Sequence, residues 1–173
     1  EYIANPANDP RPSQAQLAAV CGAAKAGEVN FPALAQFNCP LLSQYGLFAD
    51  AADPIKNPVG GLPFELNTAL FSDYASKARF IFLPPGSKAV YEDDENCNTL
   101  NIYDCYTATL VFPVGTVIAK TFSFKDGASE NVVETRLLIK RRAADGSPLW
   151  VGFAYEWASE GGQKIARLRL EGA

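Results

Sequence analysis

The fold is decided by residues 116–142, which read TVIAKTFSFKDGASENVVETRLLIKRR. Two runs rich in Val, Ile, Thr and Phe, 116–125 and 131–142, flank the turn signal Lys125-Asp126-Gly127. β-Branched and aromatic residues favour strands, and glycine supplies the positive φ that a tight turn requires. This stretch therefore predicts a β-hairpin with two antiparallel strands.

Similar runs, separated by further turn signals, continue on both sides of this hairpin. Several strands at short spacing, with no helix between them, indicate antiparallel pairing in a sandwich or a barrel. We therefore predict a mainly β fold, an antiparallel β-sandwich or barrel-like domain with a helical, loop-rich N-terminal third. The further strands are expected at 79–83, 88–91, 106–112, 149–157 and 164–170.

The N-terminal third differs in composition from the rest of the chain. Residues 1–12 contain three prolines and predict an extended arm. Ser13 is expected to N-cap a short helix that reaches about Gly27. The following loops are expected to be ordered, with turns of helix at 41–47 and 67–74. We expect a single domain over 1–173, with the arm at 1–12, the short helix and ordered loops at 13–75 and an antiparallel β core at 77–173.

Composition excludes several classes of function. The 173 residues carry 15 basic and 19 acidic side chains, a formal net charge of −4, whereas nucleic-acid binding needs a dense basic surface. No run of about 18 apolar residues exists that could form a transmembrane helix. Histidine is absent, which excludes histidine-based triads and c-type haem attachment through Cys-x-x-Cys-His. We therefore expect no nucleic-acid partner and no covalently bound cofactor.

The chain has four cysteines, an even number that allows all of them to pair. They form no Cys-x-x-Cys knuckle of the kind that binds zinc. Two disulfides in an oxidising compartment are the favoured interpretation, with reduced core cysteines as the alternative. Of the three connectivities, the most local is favoured: Cys21–Cys39 with Cys97–Cys105. We expect a periplasmic or extracellular location, with a signal peptide already removed.

Acidic residues cluster around the second pair of cysteines, which would staple them into one loop. Carboxylates placed this close together could bind calcium, which takes six to eight oxygen ligands. The alternating order of an EF-hand is missing, so a solvated loop tip is the competing interpretation. The candidate calcium ligands are Asp93, Asp94, Glu95 and Asp104.

Charged residues also occur inside the apolar strands. If these strands alternate, Lys120 shares a face with Ile118 and Phe122, and it could meet Glu134 or Arg136 across the hairpin. One interpretation is a small polar pocket for an anionic or hydroxylated ligand, and the other is a set of cross-strand salt bridges on a wet sheet face. The candidate pocket residues are Lys120, Glu134, Arg136, Tyr155 and Trp157.

No arrangement in the sequence indicates catalysis. Ser72 stands between aromatic and acidic residues, but no histidine is present to act as its base. Acid–base chemistry could rest only on carboxylates such as Asp73 and Glu134. We therefore expect a protein that is not an enzyme and has no catalytic residues.

Four longer blocks of the sequence resemble a known family. Residues 62–81, LPFELNTALFSDYASKARFI, resemble a bacterial family of uncharacterised secreted proteins. Three further blocks match in the same order: FPVGTVIAKTF at 112–122, ETRLL at 134–138 and WVGFAYEW at 150–157. The resemblance covers about 42–157, roughly two thirds of the chain. Longer relatives carry this β-rich region ahead of c-type cytochrome sequence, which implies association with electron transfer at the periplasm or outer surface.

These observations lead to one main functional expectation and two alternatives. We expect a secreted, non-enzymatic docking module, an accessory subunit of a redox assembly whose partner is a c-type cytochrome or a membrane redox complex. The alternatives are a self-assembling surface or filament subunit and a β-sandwich that binds a carbohydrate or a small anion. Apolar and aromatic anchors in the arm and loops would form the interface: Tyr2, Phe31, Phe37 and Phe48.

Overall fold

The computed structural model describes residues 13–22, 24–68, 70–92, 109–127 and 129–169. These residues form mainly antiparallel β-structure, and the helices lie in the N-terminal third. The prediction of a mainly β, antiparallel fold with a helical, loop-rich N-terminal third is therefore confirmed.

The helices are short and precede the strands. They are α1 (Gln14–Cys21), α2 (Phe31–Gln36) and a 3₁₀ turn (Leu42–Tyr45). The strands are β1 (Leu62–Pro63), β2 (Ser76–Phe82), β3 (Val90–Glu92), β4 (Thr109–Val111), β5 (Val117–Asp126), β6 (Ser129–Arg142), β7 (Pro148–Glu160) and β8 (Gln163–Leu168).

Six of these strands form one sheet in the order β1-β2-β5-β6-β7-β8, and β3 pairs with β4 separately. Every pairing is antiparallel, and β5 to β8 follow one another as a meander. In the central hairpin Lys120 lies opposite Arg136. A bulge after Phe122 leaves Val133 without a direct partner, because Phe122 pairs with Glu134 and Ser123 with Val132.

One face of the six-stranded sheet is covered by the N-terminal segment. Side chains at alternate strand positions, including Ala119, Leu137 and Phe153, join Leu34 and Leu47 in one core of buried residues. The segment also bonds to the edge of the sheet, where the Leu168 N–H donates to the Pro40 carbonyl over 2.9 Å. The N-terminal third and the sheet thus share one core.

Two buried tyrosines connect the N-terminal segment with β7. The rings of Tyr45 and Tyr155 meet edge to face at 6.2 Å, and both side chains are fully buried. The Tyr155 hydroxyl donates to the Cys39 carbonyl over 2.9 Å, and the Tyr45 hydroxyl donates to the Phe37 carbonyl over 2.8 Å. Burial, as the largest effect, raises the pKa of Tyr45, so its hydroxyl stays protonated as a donor.

Some elements differ from the sequence-based prediction. Ser13 does N-cap α1, but this helix ends at Cys21 rather than near Gly27. No helix forms among the described residues of 67–74, because Asp73 and Tyr74 adopt positive φ values of 45° and 63°, which a right-handed helix cannot include.

Candidate functional site

The face of the sheet opposite the N-terminal segment, called here the outer face, carries the charged strand residues. Arg79 on β2, Lys120 on β5 and Arg136 on β6 occupy directly opposed positions on three neighbouring strands. Strand alternation puts Ile118 and Leu138 in the next row of the same face. The expected meeting of Lys120 and Arg136 across the hairpin is thus present.

A groove of about 520 Å³ lies along this row. It is called here the cationic groove, and its lining combines three cations with apolar side chains. The residues that line the groove include Arg79, Lys120, Arg136, Phe64, Leu66, Ile118, Leu138 and Gly152.

Two carboxylates compensate two of the three cations. The Arg79 guanidinium, only 6% exposed, lies 2.9 Å from a carboxylate oxygen of Glu65. Arg136 donates through Nε to the carboxylate of Glu134. Glu134 and Arg136 lie on the same strand, and Glu65 lies in the loop after β1, so neither of these two salt bridges is a cross-strand pair of the kind considered from the sequence.

Lys120 differs from both arginines. Within the described part of the chain its ammonium has no carboxylate within salt-bridge distance. It lies instead 4.5 Å from the ring centroid of Phe122, and the guanidinium of Arg136 lies 5.0 Å from the same ring. Two cations therefore lie close to one aromatic ring.

The charge on Lys120 is destabilised by its surroundings. Burial lowers the pKa of Lys120 most, followed by the positive charges of Arg79, Arg136 and Lys77, while Glu134 acts in the opposite direction. A depressed folded-state pKa means that the unfolded chain binds this proton more tightly. This ammonium therefore opposes folding at neutral pH.

Replacing Lys120 by methionine is expected to stabilise the fold at neutral pH. The free energy of unfolding should increase by no more than about 1 kcal/mol, because solvent screens a half-buried charge. For a chain of this size, this increase corresponds to a melting temperature about 2–4 °C higher. In the wild type, the free energy of unfolding is expected to rise with pH between the lowered pKa of Lys120 and the ordinary lysine pKa, because the folded chain loses this proton first. The variant lacks this group and should not show its contribution. Thermal unfolding at neutral and alkaline pH measures both effects. Lys125→Met, at an exposed end of β5, is the matched control; a less stable Lys120→Met variant would contradict the prediction.

The other two predicted pocket residues lie on the opposite face. Tyr155 is fully buried, and the Trp157 indole N–H donates to Thr135 Oγ1 over 2.9 Å. The register pairs Thr135 with Tyr155, whereas Arg136 pairs with Ala154. The prediction of one pocket containing all five residues is therefore wrong, because odd and even positions of β7 point to opposite faces.

The cysteine and metal predictions are covered only in part. Cys21 and Cys39 form a disulfide, as favoured, and both are buried. Cys97 and Cys105 lie outside the described residues, as do the candidate calcium ligands Asp93, Asp94, Glu95 and Asp104. Among the residues that the structure describes, no cluster of His, Cys, Asp and Glu is suited to hold a metal.

The predicted interface anchors that the structure describes are buried to different degrees. Phe48 is buried and packs edge to face against Phe80 and Phe82. Phe31 and Phe37 pack half-buried against the same core. The prediction for Phe48 is wrong, because this side chain covers the sheet instead. Phe31 and Phe37 stay predictions, and Tyr2 lies outside the described residues.

A different set of apolar side chains is exposed, called here the apolar segment. Its members are Leu62 (61% exposed), Leu66 (44%), Leu70 (69%), Phe71 (72%) and Tyr74 (91%). The rings of Phe71 and Tyr74 meet edge to face at 5.2 Å. The Lys77 ammonium donates to the Leu70 carbonyl over 2.6 Å and so places a positive charge at the base of this segment.

Comparisons with known protein families, curated protein sequences and solved structures find no match to this chain. In the part of the chain that the structure describes, no helix is long and apolar enough to cross a membrane. The two candidate binding surfaces are therefore the apolar segment and the cationic groove.

Proposed function

We propose that this protein is a secreted, non-enzymatic docking module, an accessory subunit of a periplasmic or extracellular assembly that contains a c-type cytochrome. The observation that carries this proposal is the apolar segment. Large apolar side chains that remain exposed together are characteristic of interaction sites. All five members fall within 62–81, the block in which the chain resembles the family associated with cytochrome sequence.

The geometry of the segment supports docking through its aromatic residues. Tyr74 adopts φ 63°, a left-handed conformation that is unfavourable for an aromatic residue. Strained backbone of this kind is common where a side chain is held for recognition. Tyrosine is also enriched among the residues that dominate binding energy at interfaces. The turn at Asp73 and Tyr74 thus presents a tyrosine that is 91% exposed and contacts the ring of Phe71.

The disulfide supports the proposed compartment. Cys21–Cys39 is buried and connects the end of α1 to the loop that bonds with Tyr155. Disulfides persist in secreted and periplasmic proteins and are rare in reducing compartments. The absence of histidine from the sequence supports a role without catalysis.

The double variant Phe71→Ser/Tyr74→Ser is expected to abolish assembly while leaving the fold intact. Each lost anchor should weaken binding by about 2 kcal/mol or more, whereas exposed positions change folding stability by only about 0.5 kcal/mol. The measurement is size-exclusion chromatography of tagged wild type and variant produced in the native host, with protein and haem absorbance recorded together. Wild type should migrate with haem, and the variant should elute as a haem-free single chain.

Tyr91→Ser/Leu110→Ser is the matched control, since both side chains are exposed but lie on the separate β3–β4 pair. This control should still migrate with haem. If the Phe71→Ser/Tyr74→Ser variant migrates with haem as well, the apolar segment is not the docking surface. A haem-free polymer of the wild type would favour the self-assembling subunit instead.

A further inference from the structure

The charges around the cationic groove are unequal in number. Lys77, Arg79, Lys120 and Arg136 all face the outer side of the sheet. Glu65 and Glu134 each pair with an arginine, and Lys77 bonds to a backbone carbonyl. Among the described residues this leaves the half-buried ammonium of Lys120 without an anionic partner. A ligand that supplied one negative charge there would relieve the mutual repulsion of these cations.

The row beside Lys120 is apolar where a wet sheet face would be polar. Ile118 and Leu138 lie opposite each other on the two central strands, and Leu138 is 46% exposed. The solvent side of an antiparallel sheet normally carries polar residues. An exposed apolar row next to an uncompensated cation suits a ligand with an apolar part and a charged end.

Gly152 keeps this row open. It lies opposite Leu138 in the interior of β7, where glycine weakens a strand. Its backbone does not require glycine, because its φ is not in the left-handed region and an added Cβ would meet Leu138 Cδ2 at an ordinary 3.5 Å. Glycine in a strand often marks a place where a ligand approaches the backbone closely. The missing side chain leaves room above the apolar row.

We infer that the cationic groove binds an amphipathic monoanion, a carboxylate with an unbranched apolar tail. The carboxylate pairs with Lys120, and the tail lies over Ile118, Leu138 and Gly152 between the walls formed by Phe64 and Leu66. Arg79 and Arg136 each already pair with one glutamate, so among the described residues Lys120 is the groove cation that no carboxylate compensates, which suits a single negative charge. The volume of about 520 Å³ is typical of small-molecule sites. This site goes beyond the proposed docking role: it shares Leu66 with the apolar segment but does not include Phe71 or Tyr74.

The test is isothermal titration of the full, oxidised chain with decanoate below its micelle concentration. Saturable binding is expected, and acetate or decyltrimethylammonium should bind at least about tenfold more weakly, since each lacks one of the two recognised parts. Lys120→Met removes the charged partner and should weaken decanoate binding about tenfold. Gly152→Val fills the groove without changing any charge and should weaken decanoate binding to a similar degree.

Two controls separate this site from the docking surface and from misfolding. Lys120→Met is expected to be at least as stable as the wild type, so its loss of decanoate binding cannot come from unfolding. Phe71→Ser/Tyr74→Ser should retain decanoate binding even where assembly is lost. Amide chemical shifts should locate decanoate at Gly152 and Leu138 rather than at Phe71.

Three results would overturn the inference. One is the absence of saturable decanoate binding by the folded wild type. Another is equal decanoate affinity of the wild type, Lys120→Met and Gly152→Val, which would place the fatty anion elsewhere on the surface. The third is acetate binding as tightly as decanoate, because the apolar row would then have no role in recognition.

Discussion

Arg141→Ala is expected to lower the free energy of unfolding by about 3–5 kcal/mol, because it leaves several buried acceptors unsatisfied. The Arg141 side chain is 9% exposed and donates from Nε to the Leu34 carbonyl, from Nη2 to the Phe37 carbonyl and from Nη1 to Asn38 Oδ1, all within 2.8 Å. Its guanidinium also lies 5.1 Å from the ring centroid of Phe153. One side chain of β6 thus holds α2 and the following loop onto the sheet.

Urea unfolding of the variant measures this effect. Arg142→Ala is the matched control, since the neighbouring arginine is exposed and donates to the Gly146 carbonyl in the adjacent turn. The control should change stability by no more than about 0.5 kcal/mol. Arg141→Lys should recover only part of the loss, because an ammonium lacks the planar fork that reaches the three acceptors. A loss below about 1 kcal/mol for Arg141→Ala would contradict the structural role assigned to this side chain.

Cys21→Ala/Cys39→Ala is expected to lower the free energy of unfolding by about 3 kcal/mol, the value for a disulfide that closes a loop of this length. The two cysteines are 18 residues apart, and their crosslink restricts the unfolded chain around α2. Both side chains are also buried, so the substitution removes packing as well.

Urea unfolding of the double variant, compared with oxidised wild type, measures this loss. A second comparison uses a Cys97→Ala/Cys105→Ala variant, unfolded with and without reductant. In this variant the reductant can act only on the Cys21–Cys39 bond. Reductant should lower the midpoint of this variant, and it should leave the midpoint unchanged when Cys21→Ala/Cys39→Ala is added to the same background. Equal stability of oxidised and reduced protein would show that the bond does not stabilise the N-terminal segment.

The sheet could be predicted from the sequence because its signals are local. Alternating β-branched and aromatic residues on 116–142, with glycine in the connecting turn, indicate the β5–β6 hairpin. The structure places its strands at Val117–Asp126 and Ser129–Arg142. Each following strand is likewise bounded by a turn signal, so the meander of β6, β7 and β8 needs no long-range information.

The N-terminal third was harder to predict because tertiary contacts decide its structure. The helix α2 was missed, although Asn30 N-caps it and Pro32 lies in its first turn, where proline is favoured. The sequence predicts only ordered loops there, with turns of helix at 41–47 and 67–74. The aromatic residues of this third were interpreted as interface anchors, but only the fold shows that Phe48 packs against β2.

The candidate sites were predictable only where alternation alone decides the geometry. Alternation correctly placed Lys120 and Arg136 together, and the same rule applied to β7 would have put Tyr155 and Trp157 on the other face. Arg79 and Gly152 were missed, because their contribution to the groove depends on pairings between β2 and β5 and between β6 and β7. The exposed Phe71 and Tyr74 lie at a left-handed turn, and this turn contains no proline or glycine that would have predicted it.

We propose that this chain docks onto a cytochrome-containing assembly. Size-exclusion chromatography of the wild-type protein from its native source, with protein and haem absorbance recorded together, tests it most directly. The proposal predicts that the chain migrates with haem at a mass well above that of one chain. A haem-free peak with the mass of a single chain would contradict it.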